Sequence, residues 1–269
     1  MNWTDHTALI TGAGSGIGRA LATALHARGA TLILTDIDSG RLEHLAGSLK
    51  GAATVTYRTL DVSNRAAITA LAADPTLPAP TILVNNAGVA LGGDFLEISE
   101  ADFDWLLSIN LAGPISMTRA FLPELEAARE AVIVNISSLF GLIAPAGQTA
   151  YCASKYALRG FSDSLRHELA DTSVRVMTVH PGGVRTDIVN AARLPADRTD
   201  PQADRGAMNR FLTMPPDIAA EKIVRGIEKR KRRILIGRDA KIAAFVERIF
   251  PDSYWRTLTR LAHRPPPRP

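Results

Sequence analysis

Seven short apolar runs, separated by stretches of helical length and amphipathic pattern, constrain this 269-residue chain more than any other feature. The runs cover residues 8–11, 31–35, 54–60, 81–85, 131–137, 174–180 and 233–236, and each reads as a strand. Helical patterns fill 17–28, 40–49, 65–72, 100–125, 149–170 and 218–230. Strands without a polar face, alternating with helices, imply a parallel sheet covered on both sides, an α/β architecture. No internal repeat and no linker divides the chain. With 46% hydrophobic residues it is globular, and its length suits one large core. The single cysteine, Cys152, excludes an internal disulfide and fits a reducing, cytoplasmic setting. The first residues lack the basic and apolar regions of a signal peptide, and no run of about 18 apolar residues occurs. A net charge of +4, concentrated in 225–238 and the Arg-rich end, is too small to argue for nucleic acid.

The turn Thr11-Gly12-Ala13-Gly14-Ser15-Gly16-Ile17-Gly18 follows the first strand and opens the first helix. Glycines there permit a tight turn and close approach of backbone to a pyrophosphate, which sits against unpaired N–H groups at the helix N-terminus. The plainer reading, an ordinary strand-to-helix turn, is disfavoured by four glycines at alternate positions in the required context. Asp36 closes the second strand, where a carboxylate bonds ribose hydroxyls and repels a 2′-phosphate. Neither Ser15 nor Ile37 offers a positive charge, which favours NAD over NADP, although Arg41 is close enough to keep NADP open. Asp61-Val62 follows the third strand, placed to meet an adenine ring. Asn85-Asn86-Ala87-Gly88 follows the fourth, at the edge where open α/β sheets bind ligands. A turn-forming role is about as good for either segment taken alone.

Tyr151 and Lys155 lie four apart in a helix-compatible stretch and so share one face. A phenol, with a reference pKa of about 10, is too weak an acid for work near neutrality, and an ammonium one turn away favours the phenolate. Alone, Tyr-x-x-x-Lys is a weak signal.

Taken together, these motifs resemble the short-chain dehydrogenase/reductase family, from the Thr11–Gly18 turn through Asp36, Asp61-Val62, Asn85–Gly88, Asn110, Ser138 and Tyr151/Lys155 to Pro181-Gly182-Gly183-Val184-Arg185-Thr186. The likeness spans roughly the first 190 residues. It implies a Rossmann-type doubly wound sheet of about seven strands in three αβα layers, and hydride transfer between an alcohol and a carbonyl. By that resemblance Tyr151 is the general acid or base, and Lys155 lowers its pKa and binds the nicotinamide ribose. Ser138 bonds the substrate oxygen, with Ser137 the competing assignment. Asn110 holds a helix irregularity and a water leading from Lys155. The cofactor set it implies is Gly12, Ser15, Gly16, Ile17, Gly18, Asp36, Asp61, Val62, Asn86, Ala87, Gly88, Tyr151, Lys155, Pro181, Gly182, Val184 and Thr186, the last two meeting the nicotinamide carboxamide. No metal is implied. Cys152 and His180 invite redox and base roles, but inert packing and a strand end are the better readings.

Residues 1–237 then form the dehydrogenase domain and 238–269 an amphipathic extension with a Pro-rich, disordered end. Residues 187–216 correspond to the substrate loop. Its apolar members (Ile188, Val189, Leu194, Met208, Phe211, Leu212, Met214) either line a hydrophobic pocket or merely seat the loop, and its arginines 193, 198, 205 and 210 either meet an acidic substrate or are solvated. In the extension, Ile242, Phe245, Val246, Ile249 and Phe250 form a stripe at helical spacing, suited to self-packing or a dimer contact more than to a membrane. The departure from the usual C-terminal turn puts a tetramer in doubt, leaving a homo-oligomer, dimer or tetramer. The leading expectation is an NAD-preferring oxidoreductase of a secondary alcohol or ketone. The alternatives are an NADPH-dependent 3-oxoacyl or other carbonyl reductase, and a non-catalytic nucleotide sensor, disfavoured because Tyr, Lys, Ser and Asn are all present.

Overall fold

The computed structural model describes residues 1–195, 198 and 200–262. Its centre is a seven-stranded sheet in the order β3-β2-β1-β4-β5-β6-β7, with every neighbouring pair parallel. The strands are β1 (Thr7–Thr11), β2 (Thr31–Asp36), β3 (Val55–Thr59), β4 (Ile82–Asn85), β5 (Ala131–Ile136), β6 (Val174–Pro181) and β7 (Arg233–Ile236). Each agrees with its sequence-derived span to within a residue or so. The order reverses between β1 and β4, so a crevice opens beyond their carboxyl ends, the place where doubly wound sheets take ligands.

Side chains of successive strand residues point to opposite faces, and both faces are buried along β1, β2, β4, β5 and β6, with the edge strands β3 and β7 more exposed. Ala8 and Ile10 of β1 join Leu32, Leu34, Val84, Val134 and Val179 in a core completed by Leu21 and Leu25 of α1 (Gly16–His26) and Ile223 and Ile227 of α8 (Pro216–Glu228). Leu9 turns the other way, with Ile33, Leu83, Ile133 and Val176, onto α3 (Arg65–Ala72), α5 (Gly113–Ala127) and α6 (Thr149–Glu168). The result is a single αβα domain of Rossmann type. Helix α2 (Ser39–Ser48) covers the β2 side, with Asp38 accepting from the Arg41 N–H as its N-cap.

The pattern over 100–125 predicts one helix, and here the structure differs. Helix α4 (Glu100–Leu107) passes through a π-turn at Ser108–Ala112 before α5 begins. Pro114 explains the break, because it has no N–H to give the Asn110 carbonyl four residues back. The loop 187–216 contains a short helix that its charged sequence concealed, α7 (Pro201–Asn209), none of whose described residues is buried. The extension folds as α9 (Arg238–Ile249) and α10 (Tyr254–Ala262). Ala240, Ala243 and Val246 are buried, while Ile242, Phe245, Ile249 and Phe250 stay exposed. The Pro-rich end, 263–269, lies outside the described residues. Among those residues no helix is long and apolar enough to cross a membrane.

Two glycines on helices respond oppositely to a methyl group. At Gly18 it would overlap the Gly12 carbonyl and the Asn86 amide, whereas at Gly160, in the middle of α6, nothing lies within 4 Å. Gly18→Ala should therefore destabilise by about 1–3 kcal/mol, from forced overpacking. Gly160→Ala should stabilise by about 0.5–1 kcal/mol, by reducing chain entropy in the unfolded state. Denaturant midpoints of the two variants measure both.

Candidate active site

The crevice at the β1/β4 reversal is built by side chains that tie the strand ends together. Thr11 Oγ1 accepts from the Asn86 and Ala87 N–H groups, both at 3.0 Å, and the Asn86 Nδ2 donates to the Thr11 and Gly12 carbonyls at 2.9 and 3.0 Å. Gly12 and Gly16 have φ of +63° and +51°, a region that favours glycine, and a Cβ at Gly12 would lie 2.8 Å from the Ala87 Cα. Gly12, Gly18 and Asn86 thus build the turn. Ser15 is the N-cap of α1 and makes no side-chain cap bond, so no side chain competes for the first N–H groups of that helix. Ile17 packs against the core.

Asp36, at the end of β2, turns back under the glycine loop. It accepts from the Gly14 N–H at 2.8 Å and the Asp38 N–H at 3.1 Å. Beside it a cavity of about 460 Å³ is lined by Gly14, Ser15, Gly16, Arg19, Asp38 and Arg41, among others. Arg41 is ion-paired with Asp38 at 3.2 Å. Asp61 accepts from the Ser63 N–H and hydroxyl within its own turn, and the Val62 side chain packs on Gly113 at the start of α5. These residues frame a groove that fits an adenine nucleotide: a turn with close backbone approach, an uncapped helix N-terminus and a carboxylate at the strand end.

At the other end of the groove lie the residues singled out for proton transfer. Asn110 sits in the π-turn, fully buried. Its Oδ1 accepts from the Val89 N–H at 2.8 Å and its Nδ2 donates to the Val89 carbonyl at 2.9 Å. It therefore clamps the segment that runs on from Gly88 beyond β4. A Cβ on Gly88 would lie 3.2 Å from Asn110 Oδ1 and 3.5 Å from Lys155 Nζ, so a glycine there lets the three segments meet. Lys155 is buried, and its Nζ donates to the Ile136 carbonyl at 3.1 Å. That Nζ lies 5.6 Å from the centre of the Tyr151 ring.

Tyr151 rests against Leu91, Leu106 and Ala150, with Phe140 edge-on at 6.1 Å. Ser138 starts the single helical turn at Leu139–Gly141. Its Oγ accepts from the Phe140 N–H at 3.1 Å, which leaves the hydroxyl proton free to donate, and the Ser138 side chain is close enough to Tyr151 to favour its phenolate. Ser137, the competing serine, is buried and spends its hydroxyl on the Lys155 carbonyl at 3.0 Å.

In the free protein burial is the largest influence on Tyr151 and pushes the phenol up to about 12, with the Ser138 side chain acting in the opposite direction. The same burial pushes Lys155 down to about 8. Desolvation disfavours both charged forms. In the free protein Tyr151 is thus held as the acid.

The Val184 side chain is turned into the main core, and the Thr186 methyl packs over Gly16 at the glycine turn. Pro181 and Gly182 end β6, where the Gly182 N–H donates to the Ile236 carbonyl at 2.8 Å. Asp239 of α9, which no motif flags, accepts from the Gly183 N–H at 2.7 Å and anchors this segment to the extension.

The loop over the crevice is held by protein contacts. Arg193 stacks 3.7 Å above the Trp105 ring and pairs with Asp102 at 2.7 Å, Arg198 pairs with Glu97 and Asp204, and Arg205 donates to the Ala192 carbonyl. Three of the four loop arginines therefore seat the loop. Val189 and Ala192 are buried beneath it, and Leu194 packs over Gly92, while Phe211 is exposed. Cys152 is buried, and its thiol is pushed up to about 11 by burial. A thiol-disulfide reagent at neutral pH should react with the native protein at least about 100-fold more slowly than with the unfolded chain, because the thiolate is the nucleophile. Comparable rates would show that the site opens readily.

Comparison with known proteins agrees with this geometry. A family model described as short chain dehydrogenase matches residues 6–196. The chain is 41% identical over 257 residues to the putative oxidoreductase SadH of Mycobacterium tuberculosis, covering 93% of this chain and 92% of that one. A short-chain dehydrogenase/reductase from Burkholderia phymatum, solved with NAD, superposes with a TM-score of 0.83 at 29% identity, over 100% of this chain and 99% of that one. The closed form of a serine dehydrogenase with NADP+ gives 0.75 at 31% identity, over 86% and 93%. The chain belongs to the short-chain dehydrogenase/reductase family of oxidoreductases.

Proposed function

We propose that this protein interconverts a secondary alcohol and a ketone, preferring NAD, with Tyr151 as the acid or base. The observation that carries the reading is Tyr151 next to Ser138 and the buried Lys155, on the carboxyl edge of the sheet that also carries the glycine turn and Asp36. When bound, the nucleotide supplies a nicotinamide ring that takes or gives a hydride and, when oxidised, brings a positive charge near the phenol. Ser138 and Tyr151 offer two O–H donors to the oxygen on which negative charge develops during reduction. Lys155 holds positive charge beneath them, and Asn110 fixes the segment that follows β4 at Val89.

NAD preference rests on Asp36, whose carboxylate under the glycine turn opposes a 2′-phosphate. Arg41 is the nearest counter-argument, since it lines the same cavity as Arg19. Its ion pair with Asp38 offsets part of its charge. That pair of arginines keeps an NADPH-dependent reductase of 3-oxoacyl or similar carbonyls as the second reading. Solved relatives with NAD and with NADP+ are compatible with either. The engagement of Arg193, Arg198 and Arg205 within the loop, over buried Val189 and Ala192, favours an apolar substrate over an acidic one. We place the protein in the cytoplasm as a homo-oligomer, dimer or tetramer, without nucleic-acid or membrane partners.

A panel of alcohols and ketones varied in chain length, ring size and charge, followed by cofactor absorbance with each nucleotide, tests the reading. Uncharged hydrophobic members with NAD should give the highest kcat/KM, and Tyr151→Phe should lower it by about 10²–10⁴-fold. Asp36→Ala should narrow the gap between NAD and NADP. Equal use of both nucleotides by the unmodified enzyme would overturn the NAD assignment, and a fully active Tyr151→Phe the acid–base one.

A further inference from the structure

His180, the residue before Pro181, is completely buried, and one face of its ring meets the catalytic turn. Its Nδ1 lies 2.9 Å from the Ser138 carbonyl. A carbonyl oxygen only accepts, so Nδ1 carries the proton and donates, which fixes the tautomer. The Nε2 is then an acceptor, buried and without a partner. An unpartnered buried nitrogen is costly, and the bond made by the other ring nitrogen offsets part of that cost. The Ser138 carbonyl also accepts from the Gly141 N–H at 3.0 Å, and Arg159 donates to the Gly141 carbonyl at 3.4 Å. A Cβ on Gly141 would lie 2.5 Å from Ser137 Oγ and 2.8 Å from the Lys155 carbonyl, so the turn is pressed against α6 beneath it.

We propose that His180 is the positioning residue for Ser138: its Nδ1–H holds the Ser138 backbone so that the hydroxyl faces Tyr151 and the substrate oxygen. His180 stands at the carboxyl end of β6 and Ser138 just past β5, so the contact sets the serine relative to the Pro181-Gly182 segment that borders the cofactor groove. This rests on the assignment of Ser138 as a substrate-oxygen donor. Burial, the largest cause, pushes the imidazole down to about 4, and Arg159 and Arg233 act in the same direction, while the hydrogen bond to Ser138 and the charge of Asp163 oppose them. The ring therefore stays neutral through the working range of the enzyme, a fixed donor and not a base.

Two readouts separate positioning from general support. In steady-state kinetics on the full-length enzyme, His180→Phe should lower kcat about 10- to 100-fold with little change in nucleotide affinity, since small displacements of a reacting group carry penalties of that size. His180→Asn, whose amide N–H reaches a similar position, should restore most of kcat. In a Ser138→Ala background, His180→Phe should have no further effect on kcat. A further loss there, or equal damage from Phe and Asn, would overturn the proposal. An unaltered kcat in Ser138→Ala alone would instead overturn the assignment of Ser138 itself. Should the Phe variant fail to fold, the wild-type protein still decides. In ¹⁵N-histidine-labelled protein, one imidazole should show a protected Nδ1–H that does not titrate between pH 8 and about 5. If no imidazole shows that signature, the proposal fails.

Discussion

All seven strands run the same way, and the rest of the molecule depends on that constraint. Parallel pairing puts every carboxyl end on one edge, and the reversal of order between β1 and β4 leaves that edge open at its centre. The Gly-rich turn, Asp36, Asn86, Ser138 and Pro181-Gly182 come from β1, β2, β4, β5 and β6. They form one groove because the sheet delivers them there. The register of Ile10 with Val84 lets Thr11 reach the Asn86 and Ala87 amides, and the groove floor is one hydrogen-bonded piece.

Burial then sets the chemistry. Placing Tyr151 and Lys155 inside the protein penalises both charges, raising the phenol and lowering the ammonium. Nearly every polar neighbour is spent on geometry: Asn110 on Val89, Ser137 on the Lys155 carbonyl, Asn86 on Thr11 and Gly12. In the proposed reading, the hydroxyl of Ser138 and the phenol of Tyr151 are what remain for a substrate oxygen. A site with few uncommitted donors in a dry setting makes each of them count for more than it would in water.

The fold was legible in the sequence because period and spacing are local properties. Apolar strands and amphipathic helices announce themselves within windows of ten residues or so, and the glycine turn and Tyr-x-x-x-Lys carry their meaning in adjacent positions. The π-turn was partly legible, since Pro114 marks the break four residues after Asn110. What stayed hidden joins residues far apart in the chain. Asp239 holds Gly183 from 56 residues away, Arg193 finds Asp102 across 91, and His180 meets Ser138 across 42. No pattern in the chain announces such pairings. Short, charged α7 was missed for a different reason: it buries nothing, so no apolar period marks it. The burial of Tyr151, which pushes the phenol up, was also hidden, because helical spacing reports the neighbouring charge and says nothing about burial.

The central claim is that Tyr151 moves the proton and that the charge of Lys155 beneath it sets when it can. The pH dependence of kcat/KM for alcohol oxidation, measured on the unmodified enzyme and on Lys155→Met, tests this most directly. With the ammonium removed, the rise of activity with pH should move to higher pH, toward the range of a buried phenol, and the plateau should fall. An unshifted profile in Lys155→Met, with only a change in nucleotide affinity, would show that Lys155 merely binds and that the proton is governed elsewhere.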